Sequence, residues 1–182
     1  KAEYFQYLVE IGFKEIEVAF PAASQTDFDF VRYLIEGNHI PDDVSIQVIT
    51  QARPELIART MASLLGAKQA IVHVYNATAP VFREQVFQMT REQVRNLAVA
   101  AVRQIKTWCL EHPETHWTLE YSPETFCMTE LDFSTEVCQA VMAEWQPSIE
   151  FPLILNLPAT VEVNTPNVYA DQIETMIDVL QI

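Results

Sequence analysis

Five short runs of β-branched and apolar residues, each followed within two to a dozen residues by a helical pattern, constrain this chain more than any other feature. The runs are EIEVAF at 15–20, VSIQVIT at 44–50, QAIVHVYNA at 69–77, HWTLEYS at 116–122 and a short apolar run from Leu153 that reads as a buried strand. Strands that alternate with helices at this spacing form a parallel sheet with helices packed outside it, because a parallel connection needs a crossover about one helix long.

The helices are marked by their ends. Phe5, Leu8, Val9 and Ile11 recur at helical spacing before Gly12. Ser24 or Thr26 can cap a helix through Phe28, Val31, Leu34 and Ile35 that ends at Gly37, and Pro54 opens another that ends at Gly66. Residues 78–90, with Pro80, read as a longer loop. A long helix follows over 91–111, with Val94, Leu97, Ala98, Ala101 and Ile105 on one face. Helices over 133–145 and from Pro166 onward complete the set.

Two architectures fit this order. A doubly wound sheet usually carries a glycine-rich phosphate loop, and with glycine only at positions 12, 37 and 66 there is neither GxGxxG nor GxxxxGK[ST]. The order therefore predicts an α/β fold of the parallel (β/α) TIM-barrel kind. A full barrel takes ~250 residues, so 182 residues with five strand and helix units predict an incomplete one, forming a single domain over 1–182.

Charge and composition narrow the partners. A formal net charge of −14 argues against nucleic acid or an anionic membrane, which select clustered Lys and Arg. No apolar run approaches the roughly 20 residues that span a bilayer, and KAEYFQYLVEIGF lacks the regions of a signal peptide, so a soluble cytoplasmic protein is expected. Cys109, Cys127 and Cys138 show no CxxC spacing and read as reduced, mostly buried thiols.

The strands end in polar residues: Glu17 and Ser24; Thr50, Gln51 and Arg53; His73, Tyr75 and Asn76; Glu120, Ser122 and Glu124; Asn156 and Thr160. In a barrel these ends meet on one rim, where a small polar ligand would bind. Each residue also has a plain structural reading. His73 within IVHVY suits a hydrogen-bonded core histidine, Glu124 and Thr160 suit turn caps, and Asn156 suits loop backbone groups. Glu111, His112 and His116 have a metal-like spacing, but Pro113 interrupts the helix there and favours a solvated loop.

The segments FKEIEVAFPAASQTDFDFVRYLIE, IQVITQAR, AIVHVYNAT, EYSPETF, TELDF and NLPATVEVNTPNVYADQIE resemble, in order and over nearly the whole chain, the 2-isopropylmalate synthases. The resemblance implies family strands 2 to 6 of a metal-dependent acyltransferase barrel that condenses acetyl-CoA with 2-oxoisovalerate to 2-isopropylmalate and CoA, in leucine biosynthesis. A divalent ion (Mg, Mn or Zn) would polarise the oxo acid's carbonyl. By the same resemblance, His73 and Thr160 contact the oxo acid, Ser122 and Asn156 line the same pocket, and Glu124 is a carboxylate of the catalytic centre.

The departures are equally specific. The family's DGNQ-like and HPHND-like segments, which carry the metal ligands, are absent from this sequence, so no metal ligand is assigned within it. Cys127 and Met128 stand where a small residue and glycine are usual. The expectation is a part of a homodimeric synthase, inactive by itself. The alternatives are a non-catalytic binding or interaction module built on a truncated barrel, and a related synthase or lyase using another oxo acid.

Overall fold

The computed structural model describes residues 1–181, so the final residue of the expected domain span lies outside the described residues. The elements run α1 (Ala2–Glu10), β1 (Glu15–Ala19), α2 (Gln25–Glu36), β2 (Ser45–Gln51), α3 (Pro54–Ser63), β3 (Gln69–Ala77), α4 (Arg91–Glu111), β4 (His116–Glu124), α5 (Leu131–Trp145), β5 (Leu153–Leu155) and α6 (Pro166–Leu180).

Local chemistry sets most of these boundaries. Ser24, not Thr26, caps α2 by accepting a hydrogen bond from the backbone N–H of Asp27. Thr90 and Gln93 form a reciprocal capping box at the start of α4, and Pro54 and Pro166 open α3 and α6 where a missing N–H costs nothing. Gly12 takes a φ of +104° directly after α1, a turn that a residue with a Cβ would resist.

All strand pairs are parallel, and their spatial order is β1-β2-β3-β4-β5. This order decides between the two architectures. A doubly wound sheet reverses direction at a switch point and covers both faces with helices. Here the chain steps to the next strand each time, each of α2 to α5 packs on the strand before it, and neighbouring helices from α2 to α6 touch in sequence. That is the winding of a (β/α) barrel, present as five strands and not closed.

The pleat divides each strand between two faces. Ile46, Val48, Val72, Val74, Leu119 and Tyr121 face the helices and are almost fully buried among Val31, Leu34, Ile57, Ile105, Phe133 and Val141. The opposite face carries Glu17, Gln47, His73, Glu120 and Ser122. The helix-facing rows anchor the sheet, since burying each Leu, Ile or Val side chain contributes about 1.5–3 kcal/mol. The other face is free to be polar.

Three details differ from the sequence reading. Residues 82–87 are a π-helical turn within the expected loop, ending at Gln88 with φ +54°. It is anchored by buried Arg83, whose two terminal nitrogens each donate to Glu130 at 2.9 Å while the guanidinium stacks 4.9 Å above the ring centre of Phe133. Second, α5 begins at Leu131 instead of residue 133. Third, β5 is three residues long and only partly buried, because it pairs with β4 alone.

Among the described residues no helix is long and apolar enough to cross a membrane. The three cysteines are free and buried, and burial pushes the thiols of Cys109 and Cys138 up to about 12, which keeps them protonated.

Candidate active site

A cleft of about 280 Å³ opens at the carboxyl ends of β2 to β5. His73, Ser122, Glu124, Asn156 and Thr160 all line it, so five residues drawn from three strands and their loops share one space. Ile49, Tyr75 and Pro158 complete the wall. The strand register explains the convergence: His73 lies beside Ile49 on one side and Glu120 on the other, and Tyr75 lies beside Ser122.

Hydrogen bonds order the polar groups into a chain. Asn156 Nδ2 donates to Ser122 Oγ at 2.8 Å. Ser122 Oγ lies 2.7 Å from His73 Nε2, and His73 Nδ1 lies 3.2 Å from Glu17 Oε2. Gln47 donates to the same Glu17 oxygen at 3.1 Å. The hydrogen bond from His73 holds the Glu17 carboxyl below the usual carboxylate range despite partial burial. A carboxylate can only accept, so Nδ1 of His73 carries the proton. Nε2 and the Ser122 hydroxyl share the next hydrogen bond, and Ser122 Oγ also accepts from Asn156 Nδ2.

Two other carboxyls behave differently. Burial pushes Glu120 up, partly offset by His73, whose Nε2 is 3.6 Å away. Burial also raises Glu124, with no counter-charge to offset it. Among the described residues the Glu124 side chain has no hydrogen-bond partner. It is therefore a carboxyl with raised proton affinity, free to meet a ligand.

Glu124 also borders a second cleft of about 320 Å³, which shares Tyr75 with the first and is walled by Phe87, Met89 and Leu97, with Gln51 and Arg53 at its polar side. The backbone around Glu124 is unusual. Thr125 is fully buried with φ +63° and ψ +35°, a left-handed conformation that costs a β-branched residue on the order of 1–3 kcal/mol. Thr160 Oγ1 accepts the backbone N–H of Thr125 at 3.0 Å, and Thr78 N donates to the carbonyl of Glu124 at 3.0 Å.

The remaining strand-end residues scatter. Ser24 caps α2, Thr50 is buried on the helix side, and Asn76 accepts from the Tyr121 hydroxyl. Cys127 is buried with Sγ donating to the carbonyl of Val161. His112 pairs with Glu114 at the opposite end of the sheet, where β4 begins at His116. Sequence reasoning does not single out Gln47, Ile49 or Pro158. The first two are in pleat phase with His73, so alternation along VSIQVIT combined with the strand register would have identified them.

Residues 1–182 match the HMGL-like family. The chain is 67% identical over 177 residues to a 2-isopropylmalate synthase of Marinomonas sp. (strain MWYL1), covering 97% of this chain and 32% of that protein. It is 64% identical over 176 residues to the 2-isopropylmalate synthase of Ralstonia pickettii (strain 12J), and 59% identical over 174 residues to that of Pseudomonas putida (strain GB-1), each covered for 31% of its length. The chain thus spans about a third of the length of these curated relatives.

Proposed function

Because the chain belongs to the HMGL-like family, we propose that it supplies the substrate-pocket part of a 2-isopropylmalate synthase, a cytoplasmic homodimer that joins the acetyl group of acetyl-CoA to 2-oxoisovalerate in leucine biosynthesis. The observation that carries this reading is the position of Glu124 between two adjoining clefts, one polar and one with apolar walls. A condensation needs two substrates to meet at one proton-transferring group, and Glu124 is a carboxyl bordering both spaces.

In this reading the oxo acid occupies the polar cleft. Thr160, whose oxygen already accepts the Thr125 N–H, turns its hydroxyl proton toward the ligand's carboxylate or carbonyl oxygen. His73, Ser122 and Asn156 hold one another in place; Asn156 keeps a second amide N–H for the same ligand, and His73 reaches it by exchanging its bond to Ser122 for one to the ligand. Ile49 and Pro158 give the branched side chain an apolar wall. Glu124 takes a proton from the acetyl carbon, the resulting enolate attacks the oxo acid's carbonyl carbon, and the alkoxide so formed takes up a proton as Glu124 gives its own back to the site or to water. Its raised proton affinity suits this step, since a base is most effective when its pKa approaches the working pH. Hydrolysis of the thioester then releases CoA.

A divalent metal would supply Lewis-acid polarisation of the oxo acid's carbonyl. Among the described residues no three His, Cys, Asp or Glu side chains form a set able to hold one. We assign its ligands to segments other than this chain, whose own residues bind and orient the substrates and move the proton.

The test is acetyl-CoA-dependent release of the CoA thiol by the full-length protein, with 2-oxoisovalerate compared against other 2-oxo acids. Release that is fastest with 2-oxoisovalerate is expected; no release, or a marked preference for another acceptor, overturns the reading. The isolated 182 residues are expected to release none, even with Mg²⁺, Mn²⁺ or Zn²⁺ added.

A further inference from the structure

Two threonines 35 positions apart bracket the candidate base: Thr160 in the loop after β5, and Thr125 directly after Glu124. From their geometry we infer that Thr125 is a positioning residue, whose left-handed backbone, pinned by the hydroxyl of Thr160, aims Glu124 into the space between the two clefts. This rests on the synthase reading of the site and adds a role that contact with substrate does not require.

A β-branched residue does not adopt φ +63° by preference, so the surroundings must impose it. The side chain is not the reason, because the Thr125 hydroxyl is buried without a hydrogen-bond partner among the described residues. The backbone is held instead. Its N–H donates to Thr160 Oγ1, and its carbonyl accepts from the N–H of Met128 and the hydroxyl of Thr129, each at 3.0 Å. The Glu124 carbonyl is clamped from the other side by the N–H of Thr78 at 3.0 Å, and the Thr78 hydroxyl braces that of Thr129 at 2.8 Å. With both flanking peptides fixed, the backbone sets the Cα–Cβ direction of Glu124, and its side chain extends from there to border both clefts. Thr160 therefore has two tasks, to donate its proton to a ligand and to hold the turn behind the base.

The experiment is a double-mutant cycle in the full-length protein. Thr160→Val is expected to lower kcat by at least about tenfold, since small misplacements of a reacting group are costly. In a Thr125→Gly background, where φ +63° carries no strain, the same change should lower kcat by less than about threefold, the signature of coupled residues. The rise in KM for the oxo acid should be alike in both backgrounds. Equal loss of kcat in both backgrounds overturns the inference. If Thr125→Gly does not fold, Thr125→Asn serves, because asparagine also tolerates the left-handed region. Carboxyl-carbon NMR of Glu124 gives a readout without turnover: its titration should move back toward the ordinary carboxylate range in Thr160→Val, and not in the double variant. A wild-type protein without condensing activity would overturn the synthase reading, while this titration would still decide the coupling.

Discussion

His73 Nδ1 and Glu17 Oε2 lie 3.2 Å apart although the residues are separated by 56 positions in sequence. This pair makes Nδ1 the donor to Glu17, and the chain of hydrogen bonds that starts there runs through Ser122 to Asn156.

Glu17→Gln keeps the shape of the side chain and removes its charge. The variant is expected to lose about tenfold or more in turnover, the usual cost of removing an outer partner that orients a site histidine. Nitrogen NMR of the imidazole should show a weakened hydrogen bond at Nδ1–H, because an amide oxygen is a poorer acceptor than a carboxylate. An unchanged Nδ1–H resonance and unchanged turnover would separate Glu17 from the site.

For Glu124→Gln the expected loss in kcat is about 100-fold or more, with KM for both substrates changed far less, because a group that moves a proton acts in the transition state. The acid limb of the wild-type pH profile should lie above the ordinary carboxylate range, in keeping with the burial that raises Glu124. A variant that retains wild-type kcat would remove Glu124 from the chemistry.

The Arg83–Glu130 pair makes a prediction about stability. Arg83 holds the Glu130 carboxyl down at about 2, against 4.5 for an unperturbed glutamate. A carboxyl depressed in the folded state stabilises fully above its unfolded value, and that contribution is lost as pH falls through the folded value. Urea midpoints of the full-length protein should therefore carry a contribution from this pair that is constant above about pH 5 and declines toward about pH 2. In Arg83→Met that contribution should be reduced to the part that Arg91 supplies at 3.0 Å, so the difference between wild type and variant should shrink steadily on acidification. A difference that does not change with pH would show that Arg83 acts through packing on Phe133 alone.

Much of the fold was legible because its signals are local. Branched apolar runs, Ser24 at a helix start, and the prolines at 54 and 166 each act within a few residues, and the alternation of elements points to a parallel sheet without any long-range information. The π-helical turn was not legible, because its anchor Glu130 is 47 positions from Arg83. Nor was the left-handed Thr125, since nothing in threonine favours that conformation and only its distant hydrogen-bond partners impose it.

The candidate site divides in the same way. By itself the sequence determined which polar residues end which strands, and its resemblance to the synthases selected His73, Ser122, Glu124, Asn156 and Thr160 from among them. Tertiary structure decided that these five share one cleft, that Gln47 and Glu17 stand behind His73, and that Ser24, Thr50 and Asn76 turn elsewhere. The reason is register. Packing of Ile46, Val72 and Leu119 against the helices fixes how each strand slides against the next, and a slip of one residue would turn every inward polar group into the apolar core.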